Sequence, residues 1–250
     1  MSAPSRAYKM TAVVLRARNL GEADKIFTLF TAQRGKLSVV AKGVRRQRSH
    51  FGGRLEFMNE VQLSMHRGRN LDVIVTAEIE HEQWNRIVHP ETFSAASLIA
   101  ELIDAFCEPD LALPDVYALL TGAIAAIGAT DEPLALLPRF SLRLLEALGL
   151  APPPESCARC GASLAGKTAW LDAEQGGLAG EECRSTWRSV TDLDEGDVAN
   201  FSALAAPKGG AVRPVWRATP RVARAIESLV SHHLGRRPKA GLHVAEFVTG

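Results

Sequence analysis

Cys157 and Cys160 form a C-x-x-C in "CARCG", and Cys183 closes "GGLAGEEC". Two thiolates on such a turn converge on one metal from a tight backbone loop, and a second turn of the same kind completes a tetrahedron. A matching pair would need cysteines at 180 and 183. Position 180 is Gly180, so the segment reads C-x2-C-x19-G-x2-C, a spacing inside the four-cysteine zinc range. The metal reading is therefore a structural zinc knuckle on Cys157, Cys160 and Cys183 with one ligand missing. Glu181, Glu182, Asp172, a histidine from elsewhere or a water are the candidates for the fourth bond. The alternative is three thiols that merely lie near one another. Cys107, among apolar neighbours at a helix end, reads as a small core residue.

A second set of residues suits polyanions. "KGVRRQRSHFGGR" holds Lys42, Arg45, Arg46, Arg48 and Arg54, with Arg34 and Lys36 before it and Arg67 and Arg69 in a later turn. Cations of this kind gain free energy by displacing counterions condensed on phosphates. Phe27, Phe30 and Phe57 read as core. Phe51, placed in what reads as a mobile loop, is the candidate for stacking on a base. Near the C-terminus Arg213, Arg217, Arg221, Arg224, Arg236, Arg237 and Lys239 face a single Glu227 across one helix and its tail. They suit nucleic acid or an acidic peptide tail, or form a solvated helix face.

No enzyme constellation emerges. The chain has no G-x-S-x-G, no P-loop and no G-x-G-x-x-G after a strand. "TDLDEGD" does not fit a calcium loop and is better explained by Thr191 or Asp192 capping a helix. His232 and His233 are adjacent on a helix and diverge, and Ser49 beside His50 lacks a third member. The expectation is a binding protein without a catalytic centre.

The net charge of +1 over 250 residues conceals a division along the chain. Residues 1–80 carry +7, residues 81–212 carry −11 and residues 213–250 carry +5. Basic ends point to a polyanion partner. The longest apolar run, "VYALLTGAIAAIGA", is too short to span a bilayer, and the N-terminus lacks a signal-like apolar stretch. Four cysteines with a C-x-x-C suit a reducing compartment. A soluble, unprocessed cytoplasmic protein is expected, with no membrane partner.

Elements must position these residues. Five runs with alternating or β-rich character, "TAVVLRAR", "DKIFTLFTA", "KLSVVAKGV", "EVQLSMHRG" and "NLDVIVTAEI", predict five strands in the first eighty residues. In the last two, Val61, Leu63 and Met65, then Leu71, Val73, Val75, Ala77 and Ile79, should share one face, with the residues between them on the other. A small oligonucleotide-binding (OB) barrel is the natural candidate. Helical spacing follows: Phe93, Leu98, Leu102, Ile103 and Phe106 on one stripe, a buried helix in "PDVYALLTGAIAAIGA", and another ending at Gly149. In "TPRVARAIESLVSHHLG", Thr219 predicts an N-cap, Pro220 the first helical position and Gly235 the stop. The expected class is α+β: an OB-type barrel over 1–80 and an all-α domain over 81–250, with the cysteine knuckle as an insertion at about 151–190.

Taken together, these segments resemble the bacterial RecO recombination mediators. "GEADKIFTLFTAQRGKLSVVAKGVRR" is similar to that family's barrel signature, with its T-x-x-x-G-K and K-G-x-R-R elements. "FSLRLLEALGLAPPPESCARCG" is similar to the entry into the knuckle, "GGLAGEEC" to its second half and "HHLGRRPK" to the closing helix. The resemblance implies an OB barrel, a helical domain with a zinc knuckle, and no turnover. It implies binding to single- and double-stranded DNA, annealing of complementary strands, and loading of recombinase onto DNA coated with single-strand-binding protein. RecR and the acidic tail of single-strand-binding protein would be the partners, at the nucleoid. Gly180 departs from the family's cysteine and leaves zinc occupancy open. A protein-tail adaptor and an RNA-binding OB module remain the alternatives.

Overall fold

The computed structural model describes residues 7–184, 190–207 and 215–241. Two compact units divide after Thr130. The first holds strands β1 (Ala7–Leu20), β2 (Asp24–Thr31), β3 (Gly35–Ala41), β4 (Glu60–His66) and β5 (Asp72–His81), then helices α1 (Pro90–Phe106) and α2 (Pro114–Ile127). The strands close into a barrel in the order β1-β2-β3-β5-β4, with β3 and β5 parallel and every other pair antiparallel. This is the five-stranded OB-type barrel that the alternation predicts. Its interior is filled by Val14, Phe27, Leu29, Leu37, Val39, Val61, Leu63 and Met65 among others. Phe30 is fully buried as well, and Cys107 is 2% exposed, as expected of core residues.

One strand departs from its expected phase. Ile74 and Ala77 are the buried residues of β5, whereas Val75 and Ile79 are 39% and 40% exposed. The β4–β5 register shifts between Ser64 and Met65. A bulge of that kind puts two residues opposite one and so turns the alternation over between Ala77 and Ile74, which accounts for Val75, whereas Ile79 keeps the phase of Ala77, opposite Val61, and is exposed near the strand end. α1 buries Leu98, Leu102 and Ile103 of its predicted stripe and half-buries Phe106, whereas Phe93 is 43% exposed with its ring 5.6 Å from Phe57. α2 buries only Val116, Leu120, Ile124 and Ile127, so it is a one-sided helix and not a fully buried one.

The T-x-x-x-G-K stretch explains how the helices join the barrel. The Thr31 hydroxyl accepts from the Arg34 N–H at 3.0 Å and donates to the Gly35 carbonyl, fixing the β2–β3 turn. Lys36 forms a bridge with Pro109, and its carbonyl accepts from the Asp110 N–H. The Lys36 ammonium reaches the Asp104 backbone carbonyl and lies 3.3 Å from its carboxylate. Gly35 has φ +61°, and a Cβ there would sit 1.8 Å from the Leu111 carbonyl oxygen. Gly35→Ala is therefore expected to cost about 2–3 kcal/mol in urea unfolding. An unchanged midpoint would mean that residues 109–111 are not held against β3.

The second unit packs α3 (Leu137–Ala147), α4 (Glu195–Ala205) and α5 (Pro220–Leu234) on one another. It is not all-α as expected: β6 (Ala169–Asp172), β7 (Gly177–Ala179) and β8 (Val190–Leu193) form a three-stranded antiparallel sheet in the order β7-β6-β8. Strands of three or four residues are too short to show a period. Arg139 of α3 is 6% exposed and donates to the Leu204 and Ala206 carbonyls at the end of α4, and Arg143 donates to that of Ala205. These guanidiniums satisfy carbonyls that a helix C-terminus leaves unpaired. Asp194, rather than Thr191 or Asp192, caps α4 in a reciprocal box with Asp197. Thr219, Pro220 and the left-handed Gly235 bound α5 as predicted.

Candidate nucleic-acid interface and cysteine knuckle

Residues 42–59 connect β3 to β4 and carry the basic segment. Its composition suggests a free loop, but several contacts tie it to the barrel. The Gly43 N–H donates to the Asp24 carboxylate at 2.7 Å, and the Arg45 N–H to the Ala23 carbonyl at 2.9 Å. A His50 ring nitrogen lies 3.0 Å from the Val75 carbonyl oxygen, and the Met58 N–H donates to Val14. Phe51 is 1% exposed and sits in the barrel core with Leu55, while Val44 packs against them. Phe51 is thus an anchor and not a stacking platform. Its large apolar area is worth more inside the barrel than presented to a base.

Pinning the loop by its apolar residues leaves the cations outside. Lys42, Arg45, Arg46, Arg48 and Arg54 are all exposed. Arg45 donates to the Gly21 carbonyl and Arg54 to those of His50 and Phe51. No ion pair ties any of the five to a described carboxylate. Arg67 and Arg69 are exposed in the β4–β5 turn, and the Arg67 guanidinium lies 6.0 Å from the Tyr8 ring.

Arg34 and Lys36 are placed differently. Arg34 pairs with Asp72 at 3.2 Å and with Asp110, and donates to the Tyr8 hydroxyl. Burial and the adjoining Asp72 carboxylate push the Tyr8 phenol up to about 12, so it stays protonated and donates to Asp72 at neutral pH. Lys36 is occupied by Asp104. These two cations already have counter-charges within the fold.

The C-terminal cations are also partly engaged. Arg217 pairs with Glu132, Arg221 with Asp194 at 3.0 Å and Asp197 at 3.4 Å, and Arg237 lies 3.9 Å from Glu227. The acidic "TDLDEGD" stretch, which capping alone was expected to explain, is what meets Arg221. Arg224 donates to the Pro220 carbonyl, Arg236 to that of Arg237, and Lys239 is exposed. Arg213 lies outside the described residues.

The three knuckle cysteines come together: their sulfur atoms all lie within 4.8 Å of one another, with Cys157 buried, Cys183 half-buried and Cys160 exposed. The first turn is closed by the Gly161 N–H donating to the Cys157 carbonyl at 2.9 Å, with Gly161 at φ +73°. The second is closed by the Cys183 N–H donating to the Gly180 carbonyl at 2.9 Å. Burial would raise the Cys157 thiol, but N–H donors from Cys160, Gly180 and Arg159 outweigh it and bring the thiol down to about 6. Hydrogen bonds with Cys160 and Cys157 push the Cys183 thiol up to about 11. One thiolate is thus favoured before any metal arrives, and the donor set fits a thiophilic ion. Three cysteines are positioned to bind a metal, and position 180 supplies no fourth thiol.

Among the described residues, no helix is long and apolar enough to cross a membrane. Comparison with known proteins covers nearly the whole sequence. The family model described as "Recombination protein O N terminal" matches residues 5–82, and "Recombination protein O C terminal" matches residues 89–241. A "DNA repair protein RecO" of Nocardioides sp. is 35% identical over 96% of this chain and 98% of its own length. Proteins of the same name are 33% identical in Cutibacterium acnes, covering 92% and 95%, and 31% identical in Anaeromyxobacter dehalogenans, covering 92% of each.

Proposed function

Because this chain belongs to the RecO family of DNA repair proteins, we propose that it serves recombinational repair as a DNA-binding mediator without catalytic turnover. It binds single and double strands, anneals complementary strands and assists recombinase loading on DNA coated with single-strand-binding protein. It works in the cytoplasm at the nucleoid, with RecR and the tail of single-strand-binding protein as partners. The barrel over residues 1–80 carries the DNA contact, and residues 81–250 carry the knuckle and the protein contacts.

The observation that supports this reading best is the pinned basic loop. Lys42, Arg45, Arg46, Arg48 and Arg54 project from a fixed backbone with no carboxylate pair among the described residues, while Arg67 and Arg69 add charge from the β4–β5 turn. Phosphate contacts position a strand without reading its sequence. Two complementary strands lying on such a surface have their mutual repulsion lowered, which favours annealing. Arg34 and Lys36 contribute to the field but spend their direct contacts on Asp72, Asp110 and Asp104. Arg224, Arg236, Arg237 and Lys239, exposed on α5 and just beyond it, are the C-terminal set we assign to the acidic tail.

Cys157, Cys160 and Cys183 would hold zinc, which at such a site supplies folding free energy by tying two turns together. The sulfur cluster and its N–H donors fit that role.

The test is a salt titration of binding to an oligonucleotide, followed by anisotropy. Five to seven engaged phosphates predict a slope of log affinity against log salt between about −3.5 and −5 for single strands. A flat response overturns the reading. Tighter binding to RNA than to DNA of the same sequence moves it to the RNA module instead.

A further inference from the structure

The space beside the three knuckle thiols is larger than a closed structural metal site requires. We propose that a metal held by Cys157, Cys160 and Cys183 keeps its fourth coordination position open to a small zwitterionic thiol, of the free-cysteine class, entering from the adjoining cleft. This rests on the metal reading above and goes beyond it by naming what completes the site.

Position 180 stands where the fourth protein thiol would come from. Its backbone, at φ −77° and ψ 170°, is one that any residue adopts, so glycine is not required there by conformation. A Cβ would meet only the Leu164 Cδ2 atom at 3.1 Å, the movable end of a side chain. The second knuckle is therefore built as a ligand-bearing turn, with its N–H donor to Cys157 in place, but it carries no ligand at its first position. Among the described residues, no carboxylate or imidazole joins the three sulfurs in one cluster.

The site opens into a cleft of about 650 Å³ lined by the three cysteines together with Lys167, Thr168, Glu181, Glu182 and Glu195. That volume is in the range that takes a small organic ligand. A metal with three protein ligands holds an exchangeable fourth, and a site of soft thiolates favours another soft donor over oxygen. The cleft is lined by one exposed cation, Lys167, and three exposed carboxylates, Glu181, Glu182 and Glu195. Lys167 offers a cation for a carboxylate, and the glutamates offer anions for an ammonium, so an amino-acid-like thiol matches both.

The experiment uses the full chain loaded with Co(II), whose thiolate-to-metal absorption reports the number of bound sulfurs. L-cysteine is expected to raise that band saturably by about a third, as the count goes from three to four. L-serine, the same zwitterion without sulfur, should leave it unchanged. Gly180→Cys should start at the higher intensity and ignore L-cysteine. A wild-type band indifferent to L-cysteine overturns the proposal, and if Glu182→Gln or Glu195→Gln then alters the spectrum, a carboxylate of the chain holds the fourth position. Loss of the band on adding L-cysteine, meaning the metal is stripped, also overturns it. A chain that takes up no cobalt overturns the metal reading itself, which separates the two failures.

Discussion

Phe51→Ala is expected to cost the first unit about 3–5 kcal/mol, the range for removing a fully buried phenylalanine. The side chain is 1% exposed and packs with Leu55 and the barrel interior, so its removal leaves a cavity that the closed sheet cannot collapse to fill. Urea unfolding of the full chain would read the loss as a lower midpoint of the transition involving the barrel. Phe51→Leu, which keeps most of the apolar volume, should recover a large part of it. The variant should also bind DNA more weakly even where it remains folded, although no cation has been removed, because the backbone that presents Arg45, Arg46 and Arg48 loses its anchor. A midpoint within about 0.5 kcal/mol of the parent, as for an exposed loop residue, would show that Phe51 does not plug the barrel.

Arg45→Ala with Arg46→Ala should do the reverse. Both side chains are exposed and neither has a carboxylate pair among the described residues, so the unfolding midpoint should hardly move. The salt slope of single-strand binding should instead become shallower by about 1.4, roughly 0.7 for each lost phosphate contact, equally for unrelated sequences. Charge reversal to Glu at both positions should weaken binding further and slow annealing, since each strand then meets added repulsion. Arg34→Ala is the matched comparison. It removes the same charge from a group already paired with Asp72 and Asp110, so it should affect stability more and the slope less. An unaltered slope in the double variant would place the phosphate contacts elsewhere.

Much of this architecture was readable from residue types. Alternation located β4, where Val61, Leu63 and Met65 are buried and their neighbours are not, while β1, β2 and β3, which bury consecutive residues, were legible from their β-rich composition. The ends of α5 were readable because Thr219 and Gly235 act through their own backbone geometry. The cysteine spacing anticipated a cluster because two tight turns are local structures. What escaped depends on distant partners. Nothing near Arg34 or Lys36 in the chain announces Asp72, Asp104 or Asp110, and nothing near Arg221 announces Asp194 and Asp197. Phe51 was misjudged because a segment rich in arginine and glycine reads as solvent-exposed, and periodicity cannot show that one aromatic turns inward. The phase of β5 was lost to a bulge, which inserts a residue without altering composition. The sheet of β6, β7 and β8 was missed because its strands are shorter than any repeat they could display.

The inward-facing aromatic of the β3–β4 connection also bears on how quickly a strand can come and go. Backbone freedom in that segment is already lost when the barrel folds, so docking a polyanion immobilises little beyond the tips of a few long side chains. Encounter and release can then both be fast. For the strand annealing proposed above, that kinetic balance would serve better than a tight grip.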